Sequence, residues 1–177
     1  MTTSFSCTPI KGVLIFHTNL LKDDRGVFSE IYKDNPNFPN WVQENQSVSY
    51  SAGTVRGLHF QRGDYAQTKL VRCAWGSILD VAVDLRPDSP TYGSHVSAVL
   101  SQKNGNQLLV PKGFAHGFMT LTDDAVVVYK VDAPYNKESE GSLFWNDPEL
   151  KIEWRRTEAT QISEKDALAP LLKDIVL

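Results

Sequence analysis

The sequence predicts a mainly β fold, built as a sandwich or a barrel. Ten short segments rich in β-branched and aromatic residues are separated by turn-forming Gly, Pro, Asp and Asn residues. Many short strands at regular intervals are typical of these two architectures. A chain of 177 residues can bury a hydrophobic core as one unit, so we expect a single domain over residues 1–177.

The predicted strands cover most of the first 133 residues. They are residues 12–16, 26–32, 47–51, 54–60, 68–75, 77–86, 95–101, 107–111, 116–121 and 125–133. Residues 33–42 and 164–172 carry weaker helical patterns, and prolines interrupt the first of them. The sequence therefore predicts a few short helices beside the strands, including one near the C-terminus.

Charge and cysteine content exclude several classes of protein. The net charge of -3 and the absence of a Lys/Arg-rich run disfavour a nucleic-acid-binding module. Two cysteines are too few for a disulfide scaffold. The longest apolar run near the N-terminus, residues 13–16, is too short for a signal peptide core or a membrane span. We expect a cytoplasmic protein with no membrane or nucleic-acid partner.

Residues 56–71 form the first candidate for a functional site. They contain two extended segments joined by a turn, with His59 in the first and Lys69 in the second. Because side chains alternate across a strand, a hairpin could direct both groups into one pocket. This pair suits proton abstraction beside a carbonyl group, in which histidine takes the proton and lysine stabilises the oxyanion.

The strand predicted over residues 77–86 has one polar face. Asp80, Ala82 and Asp84 share this face. Such a face in a central strand is either solvated or the wall of a site.

A set of motifs recurs in register along nearly the whole chain, from about Gly12 to the C-terminus. The motifs are KDDRGVFSE (22–30), RGLHFQ (56–61), QTKLVR (67–72), DVAVDLR (80–86), SPTYG (89–93), VPKGFAHGF (110–118), VVYK (127–130), FWNDP (144–148) and SEKDA (163–167). Together they resemble the dTDP-4-dehydrorhamnose 3,5-epimerases. The resemblance implies a cupin-type double-stranded antiparallel β-barrel, or jelly roll, and a homodimer.

The resemblance also implies an isomerase that needs no cofactor. Its substrate would be dTDP-4-dehydro-6-deoxy-D-glucose, inverted at C3 and C5 through an enolate to dTDP-4-dehydro-L-rhamnose, in dTDP-L-rhamnose biosynthesis. The alternatives are an epimerase for another nucleotide sugar or a single carbon, a 3,4-ketoisomerase of the same barrel class, and a non-catalytic sugar-binding cupin.

Four residues match the catalytic positions of this family. His59 matches the base, Asp166 the carboxylate that pairs with it, Tyr129 the general acid on the opposite face of the sugar, and Lys69 the group that stabilises the enolate oxygen. Each residue type also has an ordinary structural role, as a core histidine, an exposed acid in the first turn of a helix, an aromatic in a barrel wall or a surface lysine.

Further residues match the substrate-binding positions of the family. His116 belongs to the sugar pocket, and Asp84 is its expected partner. Residues 45–57 are one residue longer than in many members, which leaves the register of this stretch open. The residues that match nucleotide and phosphate contacts are Arg25, Phe28, Glu30, Asn45, Arg56 and Tyr135. In the family, some of these nucleotide and phosphate contacts come from the partner subunit.

The histidine pattern predicts no catalytic metal. Metal-binding cupins carry two histidines separated by one residue, whereas Phe60 and Gln61 follow His59 here. The PKGFAH segment keeps the further histidine of those proteins as His116. Two inward histidines are a poor ligand set for zinc or iron, and this disfavours a metal-dependent oxygenase.

Overall fold

The computed structural model describes residues 4–34, 38–156 and 158–176, and two antiparallel sheets make up most of it. The strands are β1 (Ser4–Cys7), β2 (Leu14–His17), β3 (Leu21–Asp23), β4 (Gly26–Phe28), β5 (Gln43–Ser49), β6 (Val55–Gln61), β7 (Lys69–Trp75), β8 (Ser77–Asp84), β9 (His95–Ser101), β10 (Asn106–Val110), β11 (Phe114–Thr120), β12 (Ala125–Val131) and β13 (Glu140–Ser142). The first sheet has the order β1-β2-β10-β7-β12-β5 and the second β13-β6-β11-β8-β9. Strands β3 and β4 form a separate hairpin. The predicted mainly β fold is confirmed.

The inner faces of the two sheets share one hydrophobic core. Val71 and Val127 from the first sheet pack with Ala82 and Phe118 from the second. Strand β9 alternates between buried and more exposed residues, as expected for a strand with one covered face. Strand β11 is buried along its whole length, so both of its faces are covered.

The C-terminal part of the chain covers the outer face of the second sheet. Leu79 and Val83 of β8 pack there in one cluster with Leu143 and Leu150, and Trp154 packs against that cluster. This packing brings a segment that is distant in sequence against the strand that carries His59.

The helices are shorter than the sequence predicts. Helix α1 (Glu164–Ala167) begins after Ser163, whose hydroxyl accepts a hydrogen bond from the backbone N–H of Asp166. The predicted helix over 164–172 ends early because Pro170 cannot continue it, and a 3₁₀ turn follows at Leu172–Asp174. The helix predicted over residues 33–42 is wrong for residues 33–34 and 38–42, which are not helical. Residues 35–37 of that prediction lie outside the described residues. Across residues 4–34, 38–156 and 158–176, no helix has the length and apolarity of a membrane span.

The predicted hairpin between the segments around His59 and Lys69 is wrong. Strand β6 pairs with β11 and β13, whereas β7 pairs with β10 and β12 in the other sheet. The connection, with a 3₁₀ turn at Gly63–Tyr65, crosses between the sheets. Both side chains still project into the same interior, from opposing sheets rather than from one ribbon.

A bulge in β6 changes which of its side chains reach the pocket. The register pairs His116 with His59 but Phe118 with Arg56, so β6 carries one more residue than β11 over this stretch. Arg56 and His59 are three residues apart, yet both line the same cavity, which strict alternation would not allow. Gly57 lies in the bulge with φ of 122°, and a Cβ built on it would lie 2.6 Å from a backbone Cα of β11.

Replacement of Gly57 by alanine tests this close approach. We expect Gly57→Ala to lower the free energy of unfolding by about 3 kcal/mol, because backbone strain and overpacking act together. Gly63→Ala is the matched control: Gly63 also has positive φ, but no atom lies within 4 Å of the added Cβ. Its loss should be about 1 kcal/mol, from backbone conformation alone. Equal losses in urea-unfolding measurements would contradict the packing argument.

Candidate active site

A cavity of about 450 Å³ opens between the two sheets and is closed on one side by the C-terminal segment. Both sheets and helix α1 contribute to its wall. The polar residues that line it include Arg56, His59, Lys69, His116, Tyr129 and Asp166. The four predicted catalytic residues therefore meet in one cavity.

His59 and Asp166 form a hydrogen-bonded dyad. The distance from His59 Nε2 to Asp166 Oδ1 is 2.6 Å, and the other oxygen of Asp166 accepts the Gly57 N–H at 3.1 Å. Burial would raise the pKa of Asp166, but the hydrogen bonds from His59 and Gly57 and the charge of His59 hold it below its usual value. An ionised carboxylate in this position orients the imidazole and stabilises the imidazolium that forms when the ring takes a proton.

Lys69 is a buried ammonium beside this dyad. Its Nζ donates to the backbone oxygen of His59 at 3.4 Å. Burial lowers the pKa of Lys69 to about 8, although the carboxylates of Asp80 and Glu140 act in the opposite direction. At neutral pH the group is therefore mostly cationic, and it loses its charge as the pH rises through about 8. A desolvated cation of this kind suits an oxyanion.

Tyr129 reaches the cavity from β12, which belongs to the sheet opposite His59. Burial raises the pKa of Tyr129, while the charge of Arg56 and a hydrogen bond with Asn45 partly oppose that effect. The phenol therefore stays protonated at neutral pH and can donate a proton. Strand β12 pairs with β7 so that Val131 lies opposite Lys69, which places Lys69 close to Tyr129 on the same inner face.

His116 is paired with Asp80, and the predicted pairing with Asp84 is wrong. His116 Nε2 lies 2.8 Å from Asp80 Oδ1, and both side chains are buried. Asp84 instead accepts hydrogen bonds from the guanidinium of Arg86 at 2.8 and 2.7 Å and from the hydroxyl of Ser89 at 2.6 Å. The Asp84 carboxylate is therefore hydrogen-bonded by donors in the turn just after β8 and not by His116. The polar face of β8 is buried rather than solvated.

The rim of the cavity carries two other predicted binding residues. Asn45 on β5 lies opposite Tyr129 in the strand register and accepts a hydrogen bond from Gln43 at 2.7 Å. Tyr135 is 54% exposed and does not line the cavity itself. Its hydroxyl donates to Glu140 Oε2 at 3.3 Å, which ties the ring to the mouth of the cavity.

Lys165 and Ser47 line the cavity but are not among the site residues predicted from the sequence. Lys165 lines the cavity and forms an ion pair with Glu140. Lys165 stands directly before Asp166 in the SEKDA motif, a signal that could have identified it. The other is Ser47, whose buried hydroxyl has no hydrogen-bond partner among the described residues. It lies two residues after Asn45 and shares its face of β5.

The residues around the β3–β4 hairpin are not brought to the cavity of their own chain. Arg25 and Phe28 are exposed, and Glu30 follows the hairpin. Arg25 forms an ion pair with Asp23 at 2.6 Å. None of the three predicted binding residues of this region lines the cavity between the sheets.

Each histidine that lines the cavity is hydrogen-bonded to a carboxylate. His59 bonds Asp166 and His116 bonds Asp80. Within residues 4–34, 38–156 and 158–176, no three His, Cys, Asp or Glu side chains form a group that could hold a metal ion.

Comparisons with known proteins agree with the motif pattern. Residues 7–174 match the family model described as dTDP-4-dehydrorhamnose 3,5-epimerase. The chain is 48% identical over 176 residues to the dTDP-4-dehydrorhamnose 3,5-epimerase of Sinorhizobium fredii, covering 97% of this chain and 90% of the relative.

Solved structures extend the likeness to the fold. The dTDP-6-deoxy-D-glucose-3,5-epimerase of Legionella pneumophila, solved with dTDP-4-keto-L-rhamnose, has a TM-score of 0.93 and 39% identity over 99% of this chain and 95% of that chain. A 3'-monoepimerase of Streptomyces bikiniensis, solved with dTDP-quinovose, has a TM-score of 0.87 and 30% identity over 94% of this chain and 86% of that chain. The predictions of a cupin-type fold and of an isomerase are confirmed. The chain therefore belongs to the dTDP-4-dehydrorhamnose 3,5-epimerase family.

Proposed function

We propose that this protein inverts C3 and C5 of dTDP-4-dehydro-6-deoxy-D-glucose to give dTDP-4-dehydro-L-rhamnose, in dTDP-L-rhamnose biosynthesis, without a cofactor. One observation carries the proposal. A carboxylate-paired histidine and a protonated tyrosine enter one cavity from opposing sheets, and a buried lysine from the strand next to the tyrosine lines the same cavity. Inversion at a carbon requires a base on one face and a proton donor on the other. The ligand of the Legionella relative is the product of this reaction.

The mechanism begins with the 4-keto group, which acidifies the hydrogens on C3 and C5. His59 removes one of them, and its positive charge is stabilised by Asp166. The negative charge that develops on the keto oxygen is stabilised by the Lys69 ammonium. Tyr129 then delivers a proton to the opposite face of the carbon. His59 loses its proton to solvent and the Tyr129 phenolate takes one from solvent, after which the cycle repeats at the second carbon.

The sugar and the nucleotide would occupy different parts of the site. His116, held by Asp80, is positioned to contact the sugar in the cavity. The cations Arg56 and Lys165, which line the same cavity, suit the diphosphate oxygens. Asn45 and Tyr135 do not line the cavity but are connected to its surroundings, Asn45 opposite Tyr129 in the sheet and Tyr135 through its bond to Glu140, and the nucleoside would bind beside them.

We further propose a homodimer in the cytoplasm. Side chains of the β3–β4 hairpin are left exposed, Phe28 by 66% and Val27 by 57%, as expected of a surface that meets another chain. Delivery of Arg25, Phe28 and Glu30 to a second copy's cavity would complete the nucleotide site. Both cysteines are free, in keeping with a reducing compartment.

The second candidate is an epimerase that inverts one carbon only. The structural likeness to the Streptomyces 3'-monoepimerase supports it. The same four residues would serve, so the two functions differ only in which hydrogens reach His59. Deuterium counting at C3 and C5 separates them.

Incubation with dTDP-4-dehydro-6-deoxy-D-glucose in D₂O, followed by NMR, tests the proposed function. The wild-type protein should incorporate deuterium at both C3 and C5, and incorporation at one carbon would favour the second candidate. His59→Asn should reduce exchange at both carbons by about 10²–10⁴-fold, the usual contribution of a catalytic base. His17→Asn is the matched control, since His17 bonds Ser6 and Asn106 outside the cavity. Undiminished exchange in His59→Asn would refute the assignment of the base.

Removal of the Tyr129 hydroxyl should separate proton exchange from inversion. Tyr129→Phe keeps the ring and the base, so the hydrogens should still exchange, with return of the proton to the original face. Epimerised product should fall by about 10²-fold or more. Tyr50→Phe, at an exposed tyrosine, serves as control. NMR of the recovered sugar gives both quantities, and normal inversion in Tyr129→Phe would exclude this tyrosine as the donor.

A further inference from the structure

A short loop carries the Tyr135 ring at the mouth of the cavity. Residues 134–136, which we call the rim segment, belong to no strand or helix. Side chains hold this backbone in place. Gln61 contacts Pro134 and Asn136, and Gln43 Oε1 accepts the Tyr135 N–H at 3.4 Å. The position of the ring therefore depends on a few amide side chains rather than on a strand ladder.

Gln61 makes the most extensive of these contacts. Its Nε2 donates to the backbone oxygens of Tyr65 at 2.8 Å and Pro134 at 3.2 Å. Its Oε1 accepts the Asn136 N–H at 2.7 Å. Two carbonyl groups and one N–H match only one orientation of the amide, and the side chain is buried. Gln61 is thus hydrogen-bonded to the rim segment on both sides of Tyr135, at Pro134 and at Asn136.

The same residue connects the rim segment to the catalytic strand. Gln61 lies two residues after His59 on β6 and pairs with Glu140 of β13. Glu140 in turn accepts the Tyr135 hydroxyl and forms the ion pair with Lys165. A shift of the rim segment would therefore move the ring away from a carboxylate that is ion-paired with Lys165, a residue of the cavity wall.

We propose that Gln61 is a positioning residue that fixes the Tyr135 ring at the cavity mouth and so sets the affinity for the nucleoside part of the substrate. This inference rests on the proposed function, in which the sugar fills the cavity and the nucleoside lies outside it. A half-exposed aromatic ring at that place suits stacking on a base. Because Gln61 orders the ring before binding, less conformational entropy is lost when the nucleotide arrives.

The test uses dTDP as the probe, with titration calorimetry, on Gln61→Met, Tyr135→Ala and the double variant. Gln61→Met keeps the volume and removes all three hydrogen bonds. Each single variant should raise the Kd of dTDP about tenfold, the order expected when one base–aromatic stacking contact is lost. The double variant should bind no more weakly than Tyr135→Ala, because both changes act through one ring. The KM for the nucleotide sugar should rise by the same factor, with kcat much less affected.

Asn104→Leu provides the matched control. Asn104 also bonds three backbone groups, the N–H of Ser101 and of Asn106 and the oxygen of Val99, in the turn between β9 and β10. Its loss should leave the Kd of dTDP unchanged. Gln61→Glu is the second test variant, since its carboxylate still accepts the Asn136 N–H but faces two carbonyl oxygens, and it should weaken dTDP binding as well.

Several outcomes would overturn the proposal. They are an unchanged Kd in both Gln61 variants, additive losses in the double variant, a fall in kcat as large as the rise in KM, or failure of both Gln61 variants to fold. Failure of the proposed function would look different, because it would appear in the wild-type protein, which would then not incorporate deuterium at both C3 and C5, whatever the Gln61 variants do to the Kd of dTDP. Hydrogen exchange of the Asn136 backbone amide should be faster in Gln61→Met, because its hydrogen bond to Gln61 is lost. This measurement tests whether Gln61 orders the rim segment independently of any activity.

Discussion

The short hydrogen bond between His59 and Asp166 is the contact on which the rest of the site depends. It joins residues 107 positions apart and fixes the C-terminal segment against β6. The same carboxylate accepts the Gly57 N–H, so it holds both the backbone of the bulge and the imidazole ring. Asp166 reaches this position because Ser163 caps helix α1 and because the segment before it packs on the outer face of the second sheet. The chemistry of the cavity thus requires the last part of the chain to be folded.

Each buried ionisable group of the cavity has at least one polar partner, although one oxygen of Asp80 accepts no hydrogen bond from the described residues. Asp166 and Asp80 each bond a histidine, and the charge of Asp80 also acts on Lys69. An isolated buried charge would cost several kcal/mol, which these pairings reduce. Lys69 keeps hydrogen-bonding capacity, since the one hydrogen bond of its ammonium group among the described residues is a long one, 3.4 Å, to the carbonyl oxygen of His59. Tyr129 stays protonated under the same burial. One desolvated environment therefore supports a base, a cation and an acid at neutral pH.

Local patterns predicted the strands well, but not how they associate. The strand over residues 95–101 has the predicted bounds, because alternation and flanking turns define it. The predicted hairpin is wrong, because the short sequence distance between His59 and Lys69 does not reveal that the chain crosses from one sheet to the other between them. Asp84 was paired wrongly because both acids of β8 share one face, and only the turn after the strand decides between them. The bulge at Gly57 interrupts the alternation of side chains along β6, so an alternating sequence pattern could not predict it.

The measurement that tests the account most directly is steady-state kinetics of Asp166→Asn, with dTDP affinity measured beside it. The amide preserves the shape of the side chain but replaces one of the two accepting oxygens by an NH₂ group, so it can no longer accept from both His59 and Gly57, and it carries no negative charge to stabilise an imidazolium. We predict that kcat falls by about 10²–10⁴-fold, as when the orienting carboxylate of a catalytic histidine is neutralised. The Kd of dTDP should stay within a few-fold of the wild-type value. A variant that turns over the sugar at the wild-type rate would contradict the claim that this dyad organises the site.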